Sequence, residues 1–334
     1  MRQGEIQIMK TLMVTEKEAG QRLDKLLAKY LNLAGRGFIY KMLRKKNITV
    51  NGKKCDGSEK LSEGDEIKLF LSEETLQKFS QIQVQKVRDI QLSVIYEDAH
   101  ILLINKPSGM LSQKAKEGDE SLVEYVIDYL LKNGDLSKED LATFRPSVCN
   151  RLDRNTSGLV AAGKSLPGLQ ILSEVFRDRS LHKYYYCVVK GALKGKKTIN
   201  GFLLKDEKTN QVKIFKAQVW DSQPIITTYE PVSVFDNYTL LKVTLVTGRT
   251  HQIRAHLSSI GYPLVGDGKY GDAGVNEEAR RRFGIRYQML HSFQMQFPDL
   301  PEPLSYLSGR LFTAPLPEEF KRICSQWVTG RDRK

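Results

Sequence analysis

The apolar positions change period along the chain. Leu23, Leu26, Leu27 and Leu31 recur at helical spacing with Lys25 and Lys29 on the other face, which predicts an amphipathic helix ending near Asn32. Gly35 and Gly37 then break the chain, and a second helix is predicted over 38–46 that buries Ile39, Met42 and Leu43. Ile48, Thr49 and Val50 alternate as a strand into Asn51-Gly52, the strongest short hairpin signal. A stretch over 61–70 follows, with Gly64-Asp65 as a turn and Ile67 and Leu69 pointing inward. Residues 71–87 carry Gln, Glu, Lys and Ser with scattered apolar positions and read as a linker that is flexible or weakly structured.

Beyond it, apolar strands are predicted at 92–95 and 101–105, closed by Lys106-Pro107-Ser108-Gly109, and a helix over 121–131 shows Leu122, Val126, Tyr129 and Leu130 on one face. After a polar excursion at 134–142 come a helix over 166–176, an alternating segment over 182–191 and a strand over 240–246. A helix starting near Thr250 is expected to bury Ile253, Leu257 and Ile260. A glycine-rich loop at 261–271 precedes a basic stretch at 277–286, and the chain closes on strands at 291–297 and 304–312 and a helix over 318–327.

Polar residues concentrate in two places between these elements. At 150–158, NRLDRNTSG, Asp153 stands between Arg151 and Arg154 just before the apolar run 159–163. An Arg-x-Asp-Arg is most simply a surface ion pair. Flanking cations also favour the ionised carboxylate, however, and such a group at a cleft is a candidate base or nucleophile. At 247–257, TGRTHQIRAHL, a strand meets a helix, with Arg254 one turn from His251. This junction suits anion binding by Arg249 and His251, or else a capped helix with a solvated face.

Charge adds a partner. Fifty-two Lys and Arg against 39 Asp and Glu leave +13, which favours polyanions. Between 36 and 54 stand Arg36, Lys41, Arg44, Lys45, Lys46, Lys53 and Lys54 with no acidic residue, a patch suited to phosphates. No stretch approaches the ~20 apolar residues that cross a bilayer and nothing resembles a signal peptide, so a cytoplasmic protein without membrane contact is expected. Cys55, Cys149, Cys187 and Cys324 form no Cys-x-x-Cys pair and read as free thiols. The histidines show no metal-binding spacing, so no metal is expected. The glycine-rich loop lacks the Gly-Lys-Ser/Thr ending of a nucleotide loop, which argues against ATP. With no second carboxylate placed beside Asp153, a glycosidase reading fails.

The stretch RLDRNTSG resembles the catalytic motif of RluA-family pseudouridine synthases, His-Arg-Leu-Asp-x-x-Thr-Ser-Gly, with Asn150 where histidine is usual. Lys183, Tyr185, Cys187, Val189 and Gly191 are similar to that family's Lys-x-Tyr-x-Ala-x-Val-x-Gly, with Cys187 in the alanine position. The stretch from Gly248 to His256 is similar to its Gly-Arg-x-His-Gln-hydrophobic-Arg-x-His motif, and NKPSGM and GYPLVGD also match. The last of these, with Ile-Arg-Ala-His, favours the RluA type over the RsuA type. Residues 12–72 resemble the small RNA-binding domain named after the fourth protein of the small ribosomal subunit, 73–88 a linker, and 89–328 the catalytic domain.

The resemblance implies an α+β fold: a catalytic domain on a mostly antiparallel mixed β-sheet flanked by helices and loops, plus a small α/β RNA-binding domain. It implies an isomerase that needs no cofactor, with Asp153 catalytic, Tyr185 stacking on the target base, Arg254 paired with Asp153 and Arg151 filling the space of the flipped base. Arg36, Lys41, Arg44, Lys45, Lys46, Lys53, Arg249 and His251 are the expected RNA contacts. Large-subunit ribosomal RNA is the expected target, transfer RNA the runner-up, and a monomer the expected state. A non-catalytic RNA-binding or ribosome-assembly factor is the competing reading, which the charge and the amino-terminal module fit equally well.

Overall fold

The computed structural model describes residues 7–329 other than 83 and 236. The amino-terminal unit opens with β1 (Gln7–Met13), followed by α1 (Leu23–Tyr30), α2 (Arg36–Arg44), β2 (Ile48–Val50), β3 (Lys53–Lys54) and β4 (Glu66–Ser72). Its sheet has the order β1-β4-β2-β3. Leu23, Leu26, Leu27 and Leu31 close with Ile39 and Leu43 over Ile48, Ile67 and Leu69, all buried as the periodicity predicts. Asn51 and Gly52 both have positive φ, 49° and 72°, as a two-residue hairpin turn requires.

Three features depart from the sequence pattern. β1 has no signature of its own, because Met9 and Met13 are exposed and its strand character comes from pairing with β4 along its whole length. α2 starts at Arg36 with Gly35 as its N-cap, so Gly37 lies inside the first turn instead of breaking the chain. Within the expected linker, the Ser72 hydroxyl accepts a hydrogen bond from the Thr75 amide at 3.3 Å and starts α3 (Glu73–Phe79). The Phe79 ring lies 4.6 Å from Phe38, centroid to centroid. Two apolar residues on a seven-residue helix leave too faint a pattern to read.

The second unit is an eleven-stranded sheet. Its strands are β5 (Val94–Glu97), β6 (Ile101–Lys106), β7 (Ser147–Val148), β8 (Ser157–Gly163), β9 (His182–Lys190), β10 (Lys197–Asp206), β11 (Gln211–Phe215), β12 (Gln223–Phe235), β13 (Tyr238–Leu245), β14 (Leu290–Gln296) and β15 (Leu311–Thr313). The order is β11-β10-β12-β13-β9-β14-β8-β6-β5, with β15 added to β14 and β7 to β8. The helices are α4 (Leu122–Asn133), α5 (Leu166–Arg177), α6 (Gln252–Ser259), α7 (Ala273–Phe283) and α8 (Glu318–Thr329). Leu102, Ile104, Val160 and Ala162 pack with α4, while Ile101, Leu103, Leu159 and Ala161 pack with Leu172 and Val175 of α5. Burial on both faces explains why these strands read as unbroken apolar runs.

The predicted strand at 304–312 is mostly a turn of 3-10 helix, Ser305–Leu307, with only β15 extended. Leu304 and Leu307, both fully buried, are spaced three apart, which suits that turn. Ile260, expected inside, is 36% exposed just beyond the end of α6. Cys55, Cys149 and Cys187 are free thiols; the side chain of Cys324 lies outside the described residues.

One junction in the sheet is parallel, β14 with β8, at His291↔Ser157 and Ser292↔Gly158. The backbones approach so closely that a Cβ on Gly158 would stand 2.2 Å from the Ser292 carbonyl oxygen, and Gly158 has φ 109°, where other residues are strained. Gly158→Ala is therefore expected to lose at least ~3 kcal/mol. The measurement is a urea melt, in which the midpoint falls while the slope stays constant; a native midpoint would show that the strands can part freely.

The two units touch through the segment between β1 and α1. Lys17 pairs with Asp140 at 2.7 Å, its carbonyl accepts from the Leu166 amide at 3.0 Å, and buried Glu18 accepts from the Thr143 hydroxyl at 2.6 Å.

Candidate active site

Asp153 lies in the turn between β7 and β8, which is clamped from both sides. On one side Lys106, fully buried at the end of β6, donates to the carbonyls of Met110 at 2.8 Å, Pro107 at 3.0 Å and Arg154 at 3.1 Å. Burial pushes its ammonium down to about 7, against the pull of the Asp153 charge. The Gly109 amide also donates to the Arg154 carbonyl, at 2.9 Å. Ser112 donates its hydroxyl to the Leu152 carbonyl at 2.9 Å and accepts the Leu152 amide at 3.0 Å. The NKPSGM stretch, unspecific as chemistry, is thus a fastening for the aspartate loop.

On the other side Thr156 accepts from the Gln288 side chain at 3.2 Å, and Ser157 shares a hydrogen bond with His291 at 2.9 Å. Asn150 accepts from the Ala161 amide at 2.8 Å and donates to the Leu159 carbonyl at 3.3 Å. Its amide thus replaces a strand neighbour for β8, work that needs one donor and one acceptor.

Arg254 reaches this loop from α6. Its Nη1 donates to Asp153 at 2.7 Å, while Nε and Nη2 grip both oxygens of Asp267 at 2.7 and 2.8 Å. The Asp267 side chain is fully buried, and Oδ1 also accepts the amides of Lys269 at 2.9 Å and Tyr270 at 3.1 Å. Burial pushes the Asp267 carboxyl up, but the Arg254 bonds and these amides outweigh it and hold it below the usual carboxylate range. The bidentate grip leaves one guanidinium nitrogen free to point at Asp153. Tyr270 stacks beside the guanidinium, 5.2 Å from its ring centroid.

His251 has φ 53° at the start of α6, and its Nδ1 lies 2.9 Å from the Tyr270 hydroxyl. That hydroxyl also accepts the Val212 amide at 2.9 Å, which fixes its place beside the imidazole. Burial lowers the affinity of His251 for a second proton, against the pull of the Asp153 charge. Its Nε2 lies 3.9 Å from Asp153.

Asp153, His251 and Arg254 line one open cavity of about 1290 Å³, together with Arg151, Arg249 and Tyr185. Asp153 keeps 25% of its side chain exposed to it. Tyr185, on β9, is buried with its phenol against the Ser292 hydroxyl; burial, aided by the Asp153 charge, pushes the phenol up to about 12. Arg151 is exposed, and Arg249 donates to Gln223 at 3.2 Å. Arg280 and Arg286, from the second basic stretch, also line the cavity. Arg36, Lys41, Arg44, Lys45, Lys46 and Lys53 are exposed on the amino-terminal unit, apart from this group. Among the described residues no cluster of His, Cys, Asp and Glu could hold a metal, and no helix is long and apolar enough to cross a membrane.

Two functional features are not apparent from the sequence pattern: Asp267, visible there only as part of a glycine-rich loop, and the clamp of Lys106. A signal for Asp267 does exist, since a carboxylate inside GYPLVGDGKYG beside a motif rich in arginine is a candidate partner.

Residues 100–259 match the family described as RNA pseudouridylate synthase, and residues 21–67 match the S4 domain. The chain is 30% identical over 329 residues to the ribosomal large subunit pseudouridine synthase C of Vibrio vulnificus, covering 95% of this chain and 96% of that one. The chain belongs to the RNA pseudouridylate synthase family. The synthase is also 32% identical to the same-named protein of Pasteurella multocida, over 95% of this chain and 93% of that one, and 30% identical to that of Escherichia coli, over 97% and 98%. Its fold is similar to the structure of human RNA pseudouridylate synthase domain containing 4, with a TM-score of 0.57 at 19% identity over 71% of this chain and 93% of that one. The synthase is accordingly an isomerase acting on uridines of RNA, of the RluA type with an S4 domain at its amino terminus, and not a purely RNA-binding factor.

Proposed function

We propose that Asp153, Tyr185 and Arg254 carry the isomerisation and that Arg151 holds the space left by the everted base. The observation that carries this reading is the Asp153 carboxylate on the cavity wall, 2.7 Å from a guanidinium whose other nitrogens are committed to Asp267. Pseudouridine formation breaks the bond from ribose C1′ to uracil N1, turns the base, joins C1′ to C5 and moves the C5 proton to the freed nitrogen. The cavity has room for a uridine taken out of its stack, an eversion costing a few kcal/mol. Asp153 either attacks C1′ or removes the proton from C2′; both paths use the same carboxylate. The buried Tyr185 ring offers a stacking face, and Arg249 and His251 stand where they can meet the target nucleotide.

The substrate is large-subunit ribosomal RNA in this reading, supported by the names of the relatives, with transfer RNA as the second possibility. The synthase works as a cytoplasmic monomer, with residues 12–72 as its RNA-binding domain, 73–88 as the connection and 89–328 as its catalytic domain. Mapping pseudouridines in RNA from cells with and without the protein tests the target. Sites missing only from transfer RNA would overturn the ribosomal assignment.

The amino-terminal patch gives a separate expectation. Lys41, Arg44 and Lys45 are exposed, and no ion pair among the described residues neutralises them. Changing all three to Gln should make the dependence of log K on log salt shallower by ~0.7–0.9 for each phosphate that the protein no longer neutralises. Deleting the unit would be a poorer test, because it also removes the hydrogen bond between Glu18 and Thr143. An unchanged slope in the triple variant would show that RNA does not touch this face.

A further inference from the structure

Lys183 is the one residue of the Lys-x-Tyr pattern that the proposed chemistry leaves without work. It lies two positions before Tyr185 on β9, so both side chains leave the same face of the strand, ~7 Å apart along it. Lys183 is only 7% exposed, yet no carboxylate or carbonyl accepts from its ammonium among the described residues. Its one described neighbour of note is the Phe176 ring, 5.7 Å away from Nζ to centroid. Lys183 lines the same cavity as Asp153 and Tyr185, and Arg177 and Arg179 line it next to Lys183.

Arg177 is paired with Glu174, while Asp178 is turned to the backbone and hydroxyl of Ser180. Arg179 is exposed and holds φ 67°, a conformation unfavourable for a residue with a side chain. The ammonium thus loses water without gaining an anion, and the charge of Arg179 adds to its discomfort; both lower its affinity for a proton. A largely buried cation costs stability unless something offsets it, and this one, on a side chain that lines the cavity, has no anion to do so among the described residues.

We propose that Lys183, with Arg179 at the rim, forms a subsite for a phosphodiester of the RNA strand flanking the uridine that stacks on Tyr185. This rests on the assignment of the target base to Tyr185. A phosphate supplies the missing negative charge, its oxygens accept from the ammonium, and the strand is held in register with the Asp153 carboxylate. Arg179 adds a second cation on the solvent side, where counterions are released on binding.

The test uses the full chain carrying Asp153→Asn, so that binding is read without turnover, with a short oligouridylate as probe and a methylphosphonate oligouridylate of equal length as its uncharged counterpart. Lys183→Met should bind the charged probe about tenfold more weakly at low salt, with a salt slope shallower by ~0.7. Lys183→Arg should keep the native slope, and the uncharged probe should bind Lys183→Met and the parent equally. Lys183→Met should also melt no lower than the parent, because it removes an unpaired buried charge.

A lower Tm would make the ammonium structural and overturn the proposal, as would an equal loss of affinity for both probes. Arg179→Gly, which also relieves the strained backbone, should flatten the slope of the charged probe; an unchanged slope there counts against the subsite. None of these readouts depends on conversion of uridine, so the roles given to Asp153 and Arg254 stand or fall separately.

Discussion

Asp153→Asn protein is expected to bind RNA at least as well as the native chain and to form no pseudouridine. The side chain keeps its volume, and its remaining oxygen can still accept from Arg254 Nη1, which reaches Asp153 at 2.7 Å, so the loop should hold its place. What disappears is the negative charge and, in the proposed mechanism, the group that attacks or deprotonates ribose. Removing an anion from a cavity lined by Arg151, Arg249 and Lys183 should also ease the approach of a polyanion. Turnover should fall by at least ~10⁴-fold, as when a group that acts directly on the reacting atoms is removed. Carbodiimide mapping of a transcript incubated with the variant reads the outcome directly, and a salt titration of binding accompanies it. Conversion at more than a trace of the native rate would take Asp153 out of the chemistry.

Asp267→Asn should have the second largest effect, through Arg254. The amide cannot accept at both atoms, so the bidentate grip at 2.7 and 2.8 Å is reduced to one bond. The guanidinium then has one full carboxylate to answer, Asp153, and should tilt towards it. A displacement of ~1 Å at such a site lowers kcat by ~100-fold, with KM little changed. Breaking a buried pair should also destabilise the protein by ~3 kcal/mol.

The acid limb adds a check that catalysis cannot mimic. The folded Asp267 carboxyl is held below its unfolded value, so the stabilisation it confers is complete above the unfolded carboxylate range of ~4 and is lost as pH falls through the lower folded value. Native protein should therefore lose stability in acid through a step that Asp267→Asn lacks. A raised KM with unchanged kcat would instead mark Asp267 as an RNA contact, and an identical acid limb would mean that its charge is not linked to folding.

Much of this is legible because the signals are local. The leucines of α1, the Asn51-Gly52 turn, the apolar runs of β6 and β8 and the helix starting after His251 all follow from spacing and turn chemistry within a few residues. The motifs around Asp153, Tyr185 and Arg254 point to the family for the same reason: each is a short run with residues of fixed type. What stays hidden lacks a local pattern. β1 shows little hydrophobic alternation because its methionines face solvent, and it becomes a strand only by pairing with β4, some 60 residues on. The β10–β12 meander, equally faint in the sequence, gives Ile226 and Gln223 their places beside Gln252 and Arg249.

By itself, then, the sequence determined the family, the two-unit plan and which carboxylate and guanidinium to suspect, since these depend on residue type and close spacing. Tertiary structure alone decided that Asp267 and Asp153, 114 positions apart in the numbering, share one arginine. It also decided that Lys106 fastens the loop that carries Asp153 and that Lys183 faces the cavity without an anion. The physical reason is that burial and pairing are properties of the packed chain. A charge three residues from another is visible in a string of letters, but the loss of water around it is not.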